Sequence, residues 1–354
     1  MQHNQPAAKV SYIKTMDELT PAVLDKLIPH QHNPDELLMV KTANSCLRHA
    51  SSRPVPKMLF GKFWYEGELC ILFADSNLGK SILAVQIGNA ISTGKNISPF
   101  VLEATPQGVL YCDFELTDKQ FEARYSDDYK NHYIFKNDFY RAELNMDIDV
   151  PAGFDTFDEY LIASLERAIV QSKVKVIIID NLTYLRNETE QAKDALPLMK
   201  QLKALKKKYD LSMLVLAHTP KRDLTQPITL NDLQGSKMLM NFCDSAFTIG
   251  ESNVDKGLRY LKQIKQRNTE QVYGYDNICL CRINKPGNFL QYQFVSYGNE
   301  LDHIRKLKEK LNDGQIDEVV ELRLQGLTLR DIGEKLSIPF QKVDRLLKAA
   351  DKNK

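Results

Sequence analysis

Apolar positions along this chain follow two alternating rhythms. Short runs rich in Val, Ile, Leu and Phe occur at Leu69–Phe73, Val109–Cys112, Val176–Ile179, Met213–Ala217, Ser245–Ile249, Leu258–Ile264 and Ile278–Arg282. They read as strands, several of them apolar on both faces. Between the early runs stand stretches with helical periodicity, at 80–92, 118–127, 156–172 and 191–208. Strand, helix, strand, helix at this spacing predicts right-handed crossovers and a doubly wound, mostly parallel sheet with helices on both faces. The later strands lack intervening helices, which predicts antiparallel edge strands. After Asn299 the pattern is helical to the end, and residues 1–52 are polar and loosely helical, with "TMDELTPAVLDKLI" as an amphipathic candidate. The expected organisation is an α/β core over 53–299, a helical arm over 1–52 and a small all-helical domain over 300–354.

Composition narrows the classes. The 47 Lys and Arg nearly cancel the 46 Asp and Glu, so net charge does not mark a nucleic-acid binder and any such surface must be local. No apolar run approaches the ~20 residues that span a bilayer, and "MQHNQPAAKVSYIK" lacks the apolar centre of a secretory signal. A cytoplasmic protein with no membrane partner is expected. The six cysteines include no C-x-x-C pair, and they read as small core hydrophobes rather than a zinc or disulfide framework.

The chemistry starts at "LCILFADSNLGKSILAVQ". A buried-type strand ends at Ala74, a helix pattern starts at Lys80, and Asp75, Ser76, Asn77, Leu78 and Gly79 lie between them. This suits a phosphate-binding loop, in which backbone N–H groups and a helix N-terminus surround phosphate oxygens. Lys80 supplies charge to the β- and γ-phosphates, the Ser81 hydroxyl serves Mg²⁺, and Ile82 continues the helix beside them. The motif departs from its usual form at Ala74, where a first glycine is expected. Alanine is small, and it suffices there if its φ is negative.

Two acids complete the arrangement. "KVIIIDN" delivers Asp180 at the end of an apolar strand, where a carboxylate reaches Mg²⁺ through water; alone, it would equally be a turn aspartate. "VLYCDFELTDKQFEAR" places Glu115 just past another strand end, suited to orienting water against a γ-phosphate. Thr117 and Gln120 form a capping box for the helix that follows. Asp113 is the rival acid, and it should point to the opposite side.

With these motifs in order, the chain resembles the RecA-like ATPases, in the branch of RepA-type and DnaB-type hexameric helicases and RadA-like proteins. The resemblance covers about residues 54–298. It implies Glu115 as the base, Arg124 as a nucleotide-contacting arginine on the following helix, and His218, at the end of "SMLVLAH", as a γ-phosphate sensor. In "YLKQIKQR" it implies Lys265 and Arg267 as cations inserted into the neighbouring subunit's site, with strand alternation placing both on one face. Residues 221–237, with Lys221, Arg222 and Lys237, would line a ring channel. The partners implied are ATP, Mg²⁺, single-stranded DNA and further copies of the chain in a hexameric ring. Such a chain would be a replicative helicase of a plasmid, phage or other mobile element. The run "KALKKKYD" reads instead as a solvated, dipole-compensating helix end.

The C-terminal stretch from "GQIDEVV" to the end reads as three short helices and resembles a helix-turn-helix. Thr328 caps the second helix, which buries Ile332 and Leu336; the third buries Val343, Leu346 and Leu347. Gln341, Lys342, Arg345 and Lys348 are left for phosphates and base edges, including those of a duplex. The segment from 301 holds 12 basic against 10 acidic residues, so a protein-docking role stays open. The alternative for the whole chain is a DNA-bound regulatory ATPase whose nucleotide state controls assembly, without helicase activity.

Overall fold

The computed structural model describes residues 38, 40–145, 147–181, 195–233 and 236–352. The amphipathic "TMDELTPAVLDKLI" lies outside them, as do 191–194 of the expected fourth helix. The chain divides into two compact units, 1–56 and 57–354. In the first, helix α1 (Ala43–Ser51) is capped by the Thr42 hydroxyl, which accepts the Ser45 N–H at 3.2 Å. Among the described residues no helix is long and apolar enough to cross a membrane.

The second unit holds an α/β core built on a mostly parallel sheet with antiparallel strands on one side. A short antiparallel pair, β1 (Met58–Phe60) and β2 (Trp64–Tyr65), precedes β3 (Leu69–Ala74) and helix α2 (Lys80–Thr93). There follow β4 (Val109–Asp113), α3 (Asp118–Arg124), the small pair β5 (Ser126–Asp127) and β6 (Asn131–His132), and β7 (Phe139–Ala142). Helix α4 (Phe157–Ser172), β8 (Val176–Asp180), α5 (Ala195–Tyr209), β9 (Ser212–His218) and α6 (Ser236–Phe242) come next. The core closes with β10 (Ser245–Glu251), β11 (Leu258–Lys265), β12 (Ile278–Asn284) and β13 (Gln291–Gly298).

Nine strands form one sheet in the order β13-β12-β11-β10-β3-β9-β8-β4-β7. The pairs from β10 to β7 are parallel, and those among β10, β11, β12 and β13 are antiparallel. Along β3, Cys70, Leu72 and Ala74 face one core while Leu69, Ile71 and Phe73 face the other. Both faces are thus covered, the reason the parallel strands read as unbroken apolar runs.

Several boundaries differ from the sequence expectation. Helix α3 stops at Arg124, and Tyr125 turns the chain into the β5–β6 pair. Strand β11 ends at Lys265, so strand alternation does not relate Lys265 to Arg267. Lys206, expected to be a solvated helix end, is nearly buried against Asp244 at 2.9 Å.

The C-terminal helices α7 (Leu307–Leu324), α8 (Leu329–Leu336) and α9 (Phe340–Lys352) share their own core of Val319, Leu322, Ile332, Val343 and Leu346. Leu336 and Leu347 are partly buried against it. Thr328 and Asp331 make the capping box of α8. The chain leaves α8 through Ser337 in the left-handed region, φ 52°. A Cβ on Gly333 would lie 2.8 Å from the Ile338 carbonyl oxygen, so the short turn closes over a residue without a side chain. Gly333→Ala is expected to destabilise this helical domain by about 1–3 kcal/mol. Amide exchange should rise in residues 315–350 while the sheet stays protected.

Candidate active site

The site lies where β3 delivers its chain to α2. Ala74 is the last residue of β3 and fully buried, and the left-handed residues of the loop are Asn77 (φ 62°) and Gly79 (φ 88°). The strain that demands glycine thus falls at Gly79, and position 74 needs only a small residue. Asp75, Ser76 and Asn77 are exposed, Leu78 is buried, and the Asp75 carboxylate accepts the Ser76 N–H at 2.8 Å.

Parallel register brings the other groups alongside. Ala74 pairs with His218 across β3 and β9, and Asp113 pairs with Asp180 across β4 and β8. The Lys80 ammonium, only 7% exposed, donates to the carbonyls of Ala74 (3.0 Å) and Asp75 (3.1 Å) and lies 3.2 Å from His218 Nδ1. The opposite ring nitrogen, Nε2, meets two groups. That edge of the ring faces Glu115, 3.6 Å away. Asn181 donates to Glu115 and sits 3.0 Å from His218 Nε2.

Ser76, Asn77, Gly79, Lys80, Ser81, Ile82, Glu115, Arg124 and His218 line one cavity of about 410 Å³, a size suited to a nucleotide phosphate chain. Ser76, Asn77, Gly79, Lys80, Ser81 and Ile82 of the loop thus converge with Glu115, Arg124 and His218, with Asp180 buried behind Ser81, while Asp75 and Leu78, also expected at the site, do not line the cavity.

Charge in the site is finely balanced. Burial lowers the Lys80 ammonium pKa, opposed by Asp180, Glu115 and Asp75. The His218 ring beside it holds the Glu115 carboxyl below the usual range against its burial, helped by the charges of Lys80 and Arg124. Glu115 is thus ionised. Burial pushes Asp180 up to about 6, while the Ser81 and Tyr111 hydroxyls pull it back. Tyr111 donates to Asp180 Oδ2 at 2.7 Å, and Oδ1 is buried without a hydrogen-bond partner. An unpartnered buried carboxylate oxygen beside a serine hydroxyl fits a hydrated Mg²⁺. Arg124 Nη1 is likewise buried without a partner, which fits an anionic or aromatic ligand in the cavity.

Some contributors escape a reading of sequence. Asn181 could have been suspected from its place after Asp180. Tyr292 could not. Its hydroxyl donates to the Leu78 carbonyl inside the phosphate loop. Its backbone is gripped by Gln86 of α2, which donates to Tyr292 O at 3.0 Å and accepts from its N–H at 2.8 Å. A Cβ on Gly79 would lie 2.7 Å from Ile283 Cδ1 and 3.0 Å from the Tyr292 hydroxyl. At the far end of the hairpin, Lys285 donates to Ala123 O at 2.7 Å and the Leu290 N–H to Arg124 O at 3.1 Å. The β12–β13 hairpin thus straps the loop, α2 and α3 together.

Lys265 and Arg267 lie elsewhere. Strand β11 runs antiparallel to β10, and its Lys265 pairs with Ala246, which is level with Ile71 of β3; its end therefore stops roughly 10 Å short of the phosphate-loop end of the strands and two strands to the side. Lys265 donates to the carbonyls of Met240 and Cys243. Arg267, half-exposed, pairs with Asp244 at 3.3 Å. On α9, Gln341, Arg345 and Lys348 are exposed and Lys342 is partly buried; Lys348 pairs with Asp344 at 2.7 Å.

A family model described as an AAA domain (AAA_25) matches residues 34–223. Comparison with curated proteins gives no match. Among solved structures, the chain is similar to a KaiC-like protein from the hyperthermophilic archaeon Pyrococcus horikoshii OT3. The identity is 12%, the TM-score is 0.43, and the alignment covers 65% of this chain and 90% of that one.

Two outcomes follow from this geometry. Tyr292→Phe keeps the packing and removes one hydrogen bond of about 1 kcal/mol. Titration with a fluorescent ATP analogue should then show roughly fivefold weaker binding. For Asp180, a folded-state value near 6 against an ordinary 3.8 means that the folded chain holds a proton the unfolded chain releases between those values. Its contribution to stability therefore falls as pH rises through that window and stays lost above it. Asp180→Asn should raise the thermal midpoint of the nucleotide-free protein at pH 8, by at most about 3 kcal/mol of stability, and little at pH 4.

Proposed function

We propose that this chain, which belongs to the AAA domain family and is a P-loop ATPase, couples ATP hydrolysis to movement on DNA as a ring of identical subunits. The observation that carries the reading is the split between two half-sites. Lys80, Ser81, Glu115, Asp180 and His218 gather at one end of the sheet, and Lys265 and Arg267 stand at the other. Held on the Met240 and Cys243 carbonyls and on Asp244 at that end, these cations do not serve their own subunit's cavity. Head-to-tail packing, which closes into rings, would bring one subunit's cations to the next subunit's cavity.

In the proposed mechanism the loop amides and Lys80 bind the phosphates, Lys80 exchanging a carbonyl contact for a charge-assisted bond. Ser81 and Asp180 would hold Mg²⁺, which supplies charge neutralisation for the transferred phosphoryl. Glu115, ionised, takes the proton of the attacking water. His218 touches both Lys80 and Glu115, so a change at the phosphate is felt at the base. Lys265 and Arg267 would leave their carbonyl and Asp244 contacts to meet the neighbour's nucleotide, and that exchange links hydrolysis to subunit movement. The reading places the protein in a reducing cytoplasm, with single-stranded DNA in the channel near Lys221, Arg222 and Lys237.

The C-terminal helices support a second reading. The tight α8–α9 turn and the exposed Gln341, Arg345 and Lys348 suit a duplex-binding module, and the chain would then be a regulatory ATPase that reads a site on DNA.

The test is ATPase rate with and without single-stranded DNA, for the wild type and Arg267→Ala, with mass from light scattering. The ring motor predicts several-fold stimulation by DNA and a 10³-fold or greater loss in Arg267→Ala, with analogue binding kept. A monomer whose turnover ignores single strands, with Arg267→Ala fully active, would sink the motor and favour the regulatory reading.

A further inference from the structure

Asp113 and Arg141 form an ion pair that neither the phosphate loop nor the nucleotide cavity uses. The Asp113 side chain is fully buried and that of Arg141 is 15% exposed. Burying such a pair costs desolvation that well-packed apolar residues at a sheet edge would avoid, so its contacts need an explanation. Arg141 stands on the edge strand β7, opposite Tyr111 of β4. Its Nε donates to Asp113 Oδ2 at 2.9 Å, its Nη2 to Leu116 O at 2.6 Å and its Nη1 to Asp118 Oδ1 at 2.6 Å. Glu143 also pairs with Nη1. The guanidinium lies 4.8 Å from the centre of the Phe121 ring. The second Asp113 oxygen, Oδ1, accepts the N–H of Glu115 at 3.2 Å and of Leu116 at 3.0 Å.

Apart from the Asp113–Arg141 bond that joins them and the Glu143 pairing, every one of these bonds ends on the short turn that carries Glu115 or on the first residue of α3. The amides of Glu115 and Leu116, the Leu116 carbonyl and the Asp118 carboxylate are all fixed by one carboxylate and one fork of donors. The Glu115 side chain leaves this turn towards Asn181 and His218.

We propose that Asp113 and Arg141 are positioning residues, which set the place and direction of Glu115 in the cavity. The proposal rests on the reading of Glu115 as the base. A misplacement of about 1 Å in a reacting group costs roughly 10²-fold in rate. Loss of the clamp therefore lowers turnover and leaves nucleotide affinity alone, because neither residue lines the cavity. Lysine at 141 can pair with Asp113 but cannot reach Leu116 O and Asp118 as a fork, so it restores only part.

The experiment uses the full chain, with circular dichroism and thermal unfolding to certify each variant. Steady-state turnover and analogue binding are measured for Arg141→Gln, Arg141→Lys, Asp113→Asn, Glu115→Gln and the double variant Arg141→Gln/Glu115→Gln. The expected results are a loss of roughly 10- to 100-fold in kcat for Arg141→Gln, smaller losses for Arg141→Lys and Asp113→Asn, and binding within about threefold of wild type. Single-turnover rates should show no further loss in the double variant beyond Glu115→Gln, since a clamp that acts through Glu115 has nothing left to position. If Glu115→Gln is inactive while folded Arg141→Gln turns over normally, the clamp fails and the base reading stands. If Glu115→Gln keeps full turnover, the base reading fails and takes the clamp with it. Additive loss in the double variant, or unfolding of all three clamp variants, would make the pair structural and also overturn the proposal.

Discussion

One buried cation organises the end of the sheet where phosphate would bind. Lys80 is out of solvent, and a buried ammonium must find both acceptors and opposite charge. The loop folds back so that the carbonyls of Ala74 and Asp75 supply the acceptors, with the His218 ring as the third. Asp180 and Glu115 supply the charge, each from a different strand end. The two acids carry the cost differently. Glu115 is kept ionised by His218, while burial pushes Asp180, enclosed with one oxygen unpartnered, up to about 6. The fold thus spends stability on a site that a divalent cation and an anion could jointly relieve.

Strand register is what makes this possible with residues spread over more than a hundred positions. In a parallel sheet the C-terminal ends of neighbouring strands finish together, and a shift by one residue would turn each side chain to the wrong face. The pairing of Ala74 with His218 and of Asp113 with Asp180 is therefore as much part of the site as the side chains are.

The sequence made the parallel core legible because strands buried on both faces leave unbroken apolar runs, and helices capped by Thr117 and Thr328 announce their starts. The phosphate loop, Asp180 and Glu115 followed from spacing to those runs. Strands β7 and β13 stayed hidden because each is at an edge. β13, "QYQFVSYG", mixes polar and aromatic residues, and its burial is irregular. The roles of Arg141 and Tyr292 were hidden with them, since what they touch depends on tertiary pairing that local pattern does not encode. The same holds for Lys265 and Arg267: their residue types could be read, but the end of the strands at which they lie needed the antiparallel turn of β11.

The bond from Tyr292 to the Leu78 carbonyl spans 214 residues, and this gives the site an order in time. The phosphate loop, Glu115, Asp180 and His218 are all synthesised before position 220, but the strap that holds the loop is not. At ~5–20 residues per second, a nascent chain waits roughly ten to forty seconds between making Leu78 and making Tyr292. During that interval the loop lacks its latch and α2 lacks the partner of Gln86. The chain thus completes its nucleotide site only when nearly all of the sheet has left the ribosome, and nucleotide binding reports on a finished core rather than a growing one.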